Sequence, residues 1–192
     1  MTLWLDCSSN YAIVPSPEQV ADLVALGFKG AFVGTSYSTE KAHDQIKAFN
    51  LGGLETEEYQ FPSALKPTLW VADRWWVDAE LSDATLTSLR NALSGGSAGP
   101  YSRRSWAMDH LPDWDCKAEF PASELWDARY VHGDNFPCLI KKAVETGGNI
   151  RAAIDIEYSW LTAFAPYWGF SEAAVTQWHN SITIAGVNMD LN

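Results

Sequence analysis

The sequence predicts an α/β fold: an irregular, TIM-like β/α barrel of about eight short strands, in a single domain spanning residues 1–192. Three observations predict it. Strand-like apolar runs alternate with helix-like segments through the first half of the chain, the pattern of parallel strands joined by crossover helices. Several of the runs end in acids (Asp6, Asp78 with Glu80, Asp155 with Glu157, Asp190), as expected where strand ends converge on one face of a barrel. A length of 192 residues with 47% apolar content suits one domain around one core.

Taken in order, Leu3–Leu5 reads as a buried strand running into Asp6. Ser16-Pro17-Glu18 opens a helix, with Ser as N-cap and Pro in the first turn. Apolar residues at Val20, Leu23, Val24 and Leu26 support that helix, and Gly27 closes it. Gly30–Gly34 is a second strand and Thr39–Asn50 a second helix, broken at Gly52-Gly53. Leu54–Phe61 is a third strand and Trp75–Leu81 a fourth. Ser82-Asp83 caps a helix that runs to Leu93, and Gly95-Gly96-Ser97 is a loop. Gly99–Trp106 and Leu125–Tyr130 read as strands, with a long surface loop between them. Cys138–Thr146 is a helix stopped by Gly147-Gly148. Ile150–Tyr158, Ala173–Trp178 and Ile184–Leu191 complete the chain as strands. The sequence has no internal repeat and no linker.

Charge narrows the functional classes. The net charge of −11, from 24 acids and 13 bases, repels phosphate backbones and anionic bilayers, so neither nucleic acid nor membrane is an expected partner. No stretch of about 18 apolar residues occurs to suggest a membrane span. The opening MTLWLDCSSN has no basic start and no long apolar run, so no secretory signal is expected. Cys7, Cys116 and Cys138 are odd in number and form no CxxC, and the four His (43, 110, 132 and 179) form no HExxH. Neither a metal nor another cofactor is therefore expected.

In a strand, residues i and i+2 share a face, so Asp78 and Glu80 of Trp-Val-Asp-Ala-Glu lie roughly 7 Å apart on one side. Crowded carboxylates raise the pKa of one of them, and a wall from Trp75 or Trp76 raises it further. A protonated carboxyl beside an ionised one is the equipment of glycoside hydrolysis. An isolated Asp-x-Glu is more often a solvated strand end, and Asp155-Ile-Glu157 is read that way. The ten Trp are in the main core residues, while aromatic rings near strand ends also suit sugar stacking.

The chain resembles the glycoside hydrolase family 25 lysozymes, the N-acetylmuramidases of bacterial and phage origin. The matching segments are Leu3-Trp-Leu-Asp6-Cys-Ser8, Trp76-Val-Asp78-Ala-Glu80, Gly99-Pro-Tyr101-Ser-Arg-Arg-Ser-Trp106, Leu125-Trp-Asp-Ala-Arg-Tyr130, and Val175-Thr-Gln177-Trp178 through Gly186-Val-Asn-Met-Asp190-Leu-Asn192. They fall in the family's order along the chain. The resemblance implies a cleft with Glu80 as general acid and Asp78 holding the substrate's acetamido group or the intermediate. Asp6 and Asp190 position and tune these two. Tyr59, Tyr101, Trp126, Tyr130 and Trp178 are candidate sugar-binding rings. Phe32-Val-Gly-Thr-Ser36 lacks the family's Lys-Ala-Thr-Glu-Gly run, Glu58-Tyr59-Gln60-Phe61 lacks its His, and 134–164 has no counterpart.

The resemblance further implies a muramidase acting on peptidoglycan glycan strands, monomeric by default. As a phage-type lysin it would be made in the cytoplasm and reach the wall after release, or be carried on a virion. The alternative is a non-enzymatic glycan-binding or virion structural protein on the same barrel. A glycosidase for another N-acetylated glycan ranks third, since the chitinase Asp-x-x-Asp-x-Asp-x-Glu pattern is absent around Asp78. The odd cysteine count predicts that no disulfide is needed for folding. The thermal unfolding midpoint should be the same with and without reductant, and a fall of many degrees on reduction would contradict this.

Overall fold

The computed structural model describes residues 2–8, 13–36, 38–63, 65, 72, 74–80, 84–130 and 138–192. Its first half is a regular βα alternation: β1 (Leu3–Ser8), α1 (Pro17–Ala25), β2 (Phe28–Gly34), α2 (Thr39–Leu51), β3 (Glu55–Gln60), β4 (Arg74–Asp78) and α3 (Leu86–Ser94). The second half is less regular: β5 (Pro100–Ser102), α4 (Arg104–His110), α5 (Cys116–Glu119), β6 (Trp126–Ala128), α6 (Leu139–Thr146), α7 (Ile150–Tyr158), β7 (Val175–Gln177), β8 (His179–Ile184) and β9 (Val187–Leu191). The strands form one curled sheet in the order β7-β6-β5-β4-β3-β2-β1-β9-β8. Strands β1 to β7 pair in parallel, and β9 joins β1 antiparallel. The result is an irregular β/α barrel. No helix among the described residues is long and apolar enough to cross a membrane.

Local signals set several elements. Ser16 caps α1 in a full capping box with Gln19, which satisfies amide donors at the helix start. Gly147 ends α6 in the left-handed conformation. Other expectations fail for identifiable reasons. Thr85, rather than Ser82-Asp83, caps α3, and residues 82–83 lie outside the described set. The strand expected over Gly99–Trp106 stops at Ser102 and becomes α4. The supposed surface loop after it contains α5 and buries Trp114 and Cys116. Ile150–Tyr158 is a helix, because its buried residues Ala153, Ile154 and Glu157 follow helical spacing. The C-terminal strand expected over Ile184–Leu191 is the end of a hairpin, turning at Ala185-Gly186 with both φ angles positive, 51° and 74°.

The two faces of the sheet carry different cores. Leu3, Leu5, Cys7, Ala31, Val33, Met189 and Leu191 point outward and pack with the inner faces of α1 and α2. Inside the barrel, Phe32, Trp76 and Trp126 form an aromatic plug, bordered by Trp4, Tyr59 and Tyr101. Trp126 sits at its centre, with ring centroids 4.2 Å from Phe32, 4.9 Å from Tyr101 and 5.8 Å from both Tyr59 and Trp76. The inward face of β2 reads Gly30-x-Phe32-x-Gly34. A Cβ at Gly30 would lie 2.4 Å from the Trp4 ring, and one at Gly34 would lie 2.6 Å from Tyr59. These glycines make room for the plug.

Trp126 is 1% exposed and donates its indole N–H to Asn192 Oδ1 at 2.9 Å. Trp126→Ala should therefore destabilise the fold by about 3–5 kcal/mol in denaturant titration. A variant as stable as wild type would refute its place as core filler.

Candidate active site

β1 and β9 bring the first and last acids together. Asp6 faces Asp190 directly across the antiparallel pair. Asp6 is buried, and one of its oxygens has no hydrogen-bond partner among the described residues. Burial raises its pKa well above the aspartate range, and the charge of Asp190 raises it further. The Tyr59 phenol, donating a hydrogen bond, opposes the shift, and Asp78 adds to it. Burial raises Asp190 as well, against hydrogen bonds from the Ser181 amide and the Gln177 side chain.

The Asp190 contacts are built from a backbone irregularity. Between the pairs His179–Leu191 and Ile182–Met189, two residues of β8 oppose the single residue Asp190. This is a β-bulge, with Ser181 at φ 52°. It turns the Ser181 N–H onto Asp190 Oδ1 at 2.7 Å, while Gln177 Nε2 donates to Oδ2 at 2.6 Å. The chain of contacts continues from Gln177 Oε1 to the Tyr130 hydroxyl at 3.5 Å, and from there to the Tyr101 hydroxyl at 3.1 Å.

Trp76 and Asp78 lie on the inward face of β4, and Glu80 stands two residues past the end of the strand. Asp78 Oδ1 accepts the Glu80 amide at 2.9 Å, which folds the chain back at the strand end. Glu80 is mostly buried and its pKa is raised by that burial. Arg103 opposes the rise, giving its Nε to Glu80 Oε1 at 2.9 Å and its backbone N–H to the same oxygen. Asp6, Asp78 and Asp190 act electrostatically on the one Tyr59 phenol, and Asp78 and Glu80 on the one Tyr101 phenol. The four acids thus gather at the C-terminal mouth of the barrel, above the aromatic plug.

The expected sugar-binding rings divide into two groups. Tyr59, Tyr101 and Tyr130 are partly exposed beside the acids. Trp126 is the centre of the plug, and Trp178 is 0% exposed in the outer core. Neither indole presents a face to a ligand, because strand alternation points one into the barrel and the other under the helices. Asp155-Ile-Glu157 is not a strand end but part of α7, with Asp155 exposed and Glu157 fully buried.

Sequence reasoning missed Arg103 and the Ser181 amide. The Arg-Arg after Tyr101-Ser102 was a usable signal, since it follows a strand end. A bulge opposite Asp190 left none. A pocket of about 410 Å³ also opens at the far end of the barrel, beside Trp4, Arg74, Trp76 and Val175. It lies where the strands begin, away from the acids. Metal-ligand chemistry occurs among the described residues in one group, Cys138, Glu157 and His179. It lies outside the barrel, where the separation of these residues in sequence hid it from spacing patterns.

No protein-family model and no curated protein sequence matches the chain. The structure is similar to that of the bacterial lysozyme from Streptomyces coelicolor, with a TM-score of 0.63 over 99% of this chain and 90% of that one, at 13% identity. At that identity the likeness establishes a shared fold.

A raised aspartate pKa means that the native state holds its proton more tightly than the unfolded chain. Stability is then lost as pH rises from the ordinary aspartate range through the raised value of Asp6. Asp6→Asn should have a higher unfolding midpoint than wild type at neutral pH, and the gain should vanish in acid, where both forms are uncharged. An equal or lower midpoint at neutral pH would contradict the assignment.

Proposed function

We propose that the protein is a glycoside hydrolase of the muramidase type, cleaving the β-1,4 bond between N-acetylmuramic acid and N-acetylglucosamine in peptidoglycan. The observation that carries this reading is the mouth itself: four carboxylates over an apolar floor, with Glu80 raised by burial and Asp78 bonded to its amide. The lysozyme-like fold is the second support.

Glu80 is the general acid. Both Arg103 bonds fall on Oε1, so Oε2 carries the proton given to the leaving oxygen. Asp78 faces the positive charge that develops on the sugar, or positions the acetamido group that meets it. Asp6 and Asp190 hold Tyr59, Gln177 and the Ser181 bulge in place. Tyr59, Tyr101 and Tyr130 offer partly open rings to the glycan. The net charge of −11 fits a substrate without phosphate groups. A phage-type lysin is the biological setting this reading favours.

Glu80→Gln keeps the hydrogen bond to Arg103 but has no proton to give. Its turnover of a peptidoglycan suspension should fall by about 10²–10⁴, with glycan-fragment binding retained. A general acid works only while protonated, so activity should fall as pH rises through the Glu80 pKa. Arg103→Ala removes the guanidinium that opposes the rise, leaving only the backbone N–H in place, and should move this alkaline limb to higher pH. Wild-type protein that binds peptidoglycan without cleaving it would replace this reading with the glycan-binding one.

A further inference from the structure

We propose that Cys138, Glu157 and His179 form a binding site for a divalent transition-metal ion, zinc by ligand chemistry, on the outside of the barrel. Cys138 is the N-cap of α6, Glu157 lies on the inner face of α7, and His179 opens β8. The three residues are far apart in sequence and belong to three elements that pack together. One ligand atom from each falls within 4.8 Å of the others. Cys138 Sγ is 3.2 Å from His179 Nε2, and Glu157 Oε2 is 3.7 Å from the same nitrogen. Zinc bonds of about 2.3 Å to sulfur and about 2.0–2.2 Å to nitrogen or oxygen, set at tetrahedral angles, give ligand–ligand edges of about 3.3–3.6 Å. Both edges at His179 Nε2 therefore match a zinc site within a few tenths of an ångström.

The geometry separates this reading from a nucleophilic triad. In a triad, the thiol meets one ring nitrogen and the carboxylate orients the other. Here the sulfur and the carboxylate oxygen both approach Nε2, which is convergence on a point. The remaining ligand lone pairs are oriented from behind, as metal ligands commonly are. Glu157 Oε1 accepts the Ile140 amide at 2.9 Å, which leaves Oε2 turned toward the histidine. Cys138 Sγ accepts the Lys141 amide at 3.3 Å, which fixes the sulfur at the start of α6. A thiolate, a carboxylate and a neutral imidazole balance a divalent cation without residual charge. Thiolate and imidazole together select zinc over calcium or magnesium.

Three protein ligands leave a fourth position. A pocket of about 350 Å³ reaches Cys138 and His179 between Lys141, Val144, Ile182 and Thr183, so water can complete the tetrahedron. An ion bound there ties α6, α7 and β8 together, and ligand binding to the native state alone raises stability.

The test uses the untagged full chain, stripped with a chelator and titrated with Co²⁺ and then Zn²⁺. One Co²⁺ per chain should produce a thiolate-to-metal charge-transfer band with intense tetrahedral visible bands, and Zn²⁺ should abolish both. Zn²⁺ at about a hundred times its dissociation constant should raise the unfolding midpoint by roughly 5–10 °C. Cys138→Ser should lose the charge-transfer band and most of the midpoint shift. Wild-type protein with no such band and no shift would overturn the proposal, whatever the variants do. A band that survives in Cys138→Ser would also overturn it, by placing the thiolate at Cys7 or Cys116.

Discussion

Closure of the sheet between β1 and β9 is the constraint from which the rest of the structure follows. Trp4 and Asn192 exchange both backbone hydrogen bonds at 2.9 Å. Two residues further along β1, and two back along β9, that register sets Asp6 against Asp190. The same alternation puts Leu5 and Leu191 on the outer face and the Asn192 side chain inside, where it takes the indole proton of Trp126. A slip of one residue would exchange the two faces, sending both aspartates under the helices and leucines into the mouth. The acids are held in a costly arrangement because the apolar contacts on the other face admit no alternative register.

The aromatic plug explains why the acids differ from those on the surface. The floor below Asp6 is indole and phenyl. In that setting, burial is the first cause of every raised carboxylate there. Arg103 is the counterweight at Glu80, and hydrogen bonds from Gln177 and Ser181 play that part at Asp190. At Asp6 the opposing contact is the Tyr59 hydroxyl.

Much of this was readable in the chain. The strands bearing Asp6, Asp78 and Asp190 were legible because their apolar alternation is short and clean, and Ser16-Pro17 announced α1 outright. The second half was harder to read. Ile150–Tyr158 is apolar at both strand and helix periods, and only its packing on α6 decides for helix. β5 and β6 are three residues each, too short for any period, so their ends were misplaced and α4 was missed. The mouth acids were legible because each sits at a strand end. Arg103, the bulge at Ser181 and the convergence of Cys138, Glu157 and His179 were not, because each depends on contacts across long stretches of chain. Trp126 and Trp178 look alike in sequence, next to strand ends, yet tertiary packing buries both.

The segment from Val175 to Ile184 has a mechanical consequence. Its first three residues pair with β6 and its remainder pairs with β9, so one strand changes partner at Trp178 and thereby completes the ring. At the changeover the Gln177 carbonyl accepts the Arg129 amide at 2.7 Å on one side, and the Trp178 amide donates to the Leu191 carbonyl at 2.9 Å on the other. Beside it, the Asp190 carboxylate grips Gln177 on one arm of the segment and Ser181 on the other. An acid of the mouth is thus also the clasp of the belt. Whatever draws charge from Asp190, whether a proton or a cationic ligand, slackens the joint at which the barrel is fastened.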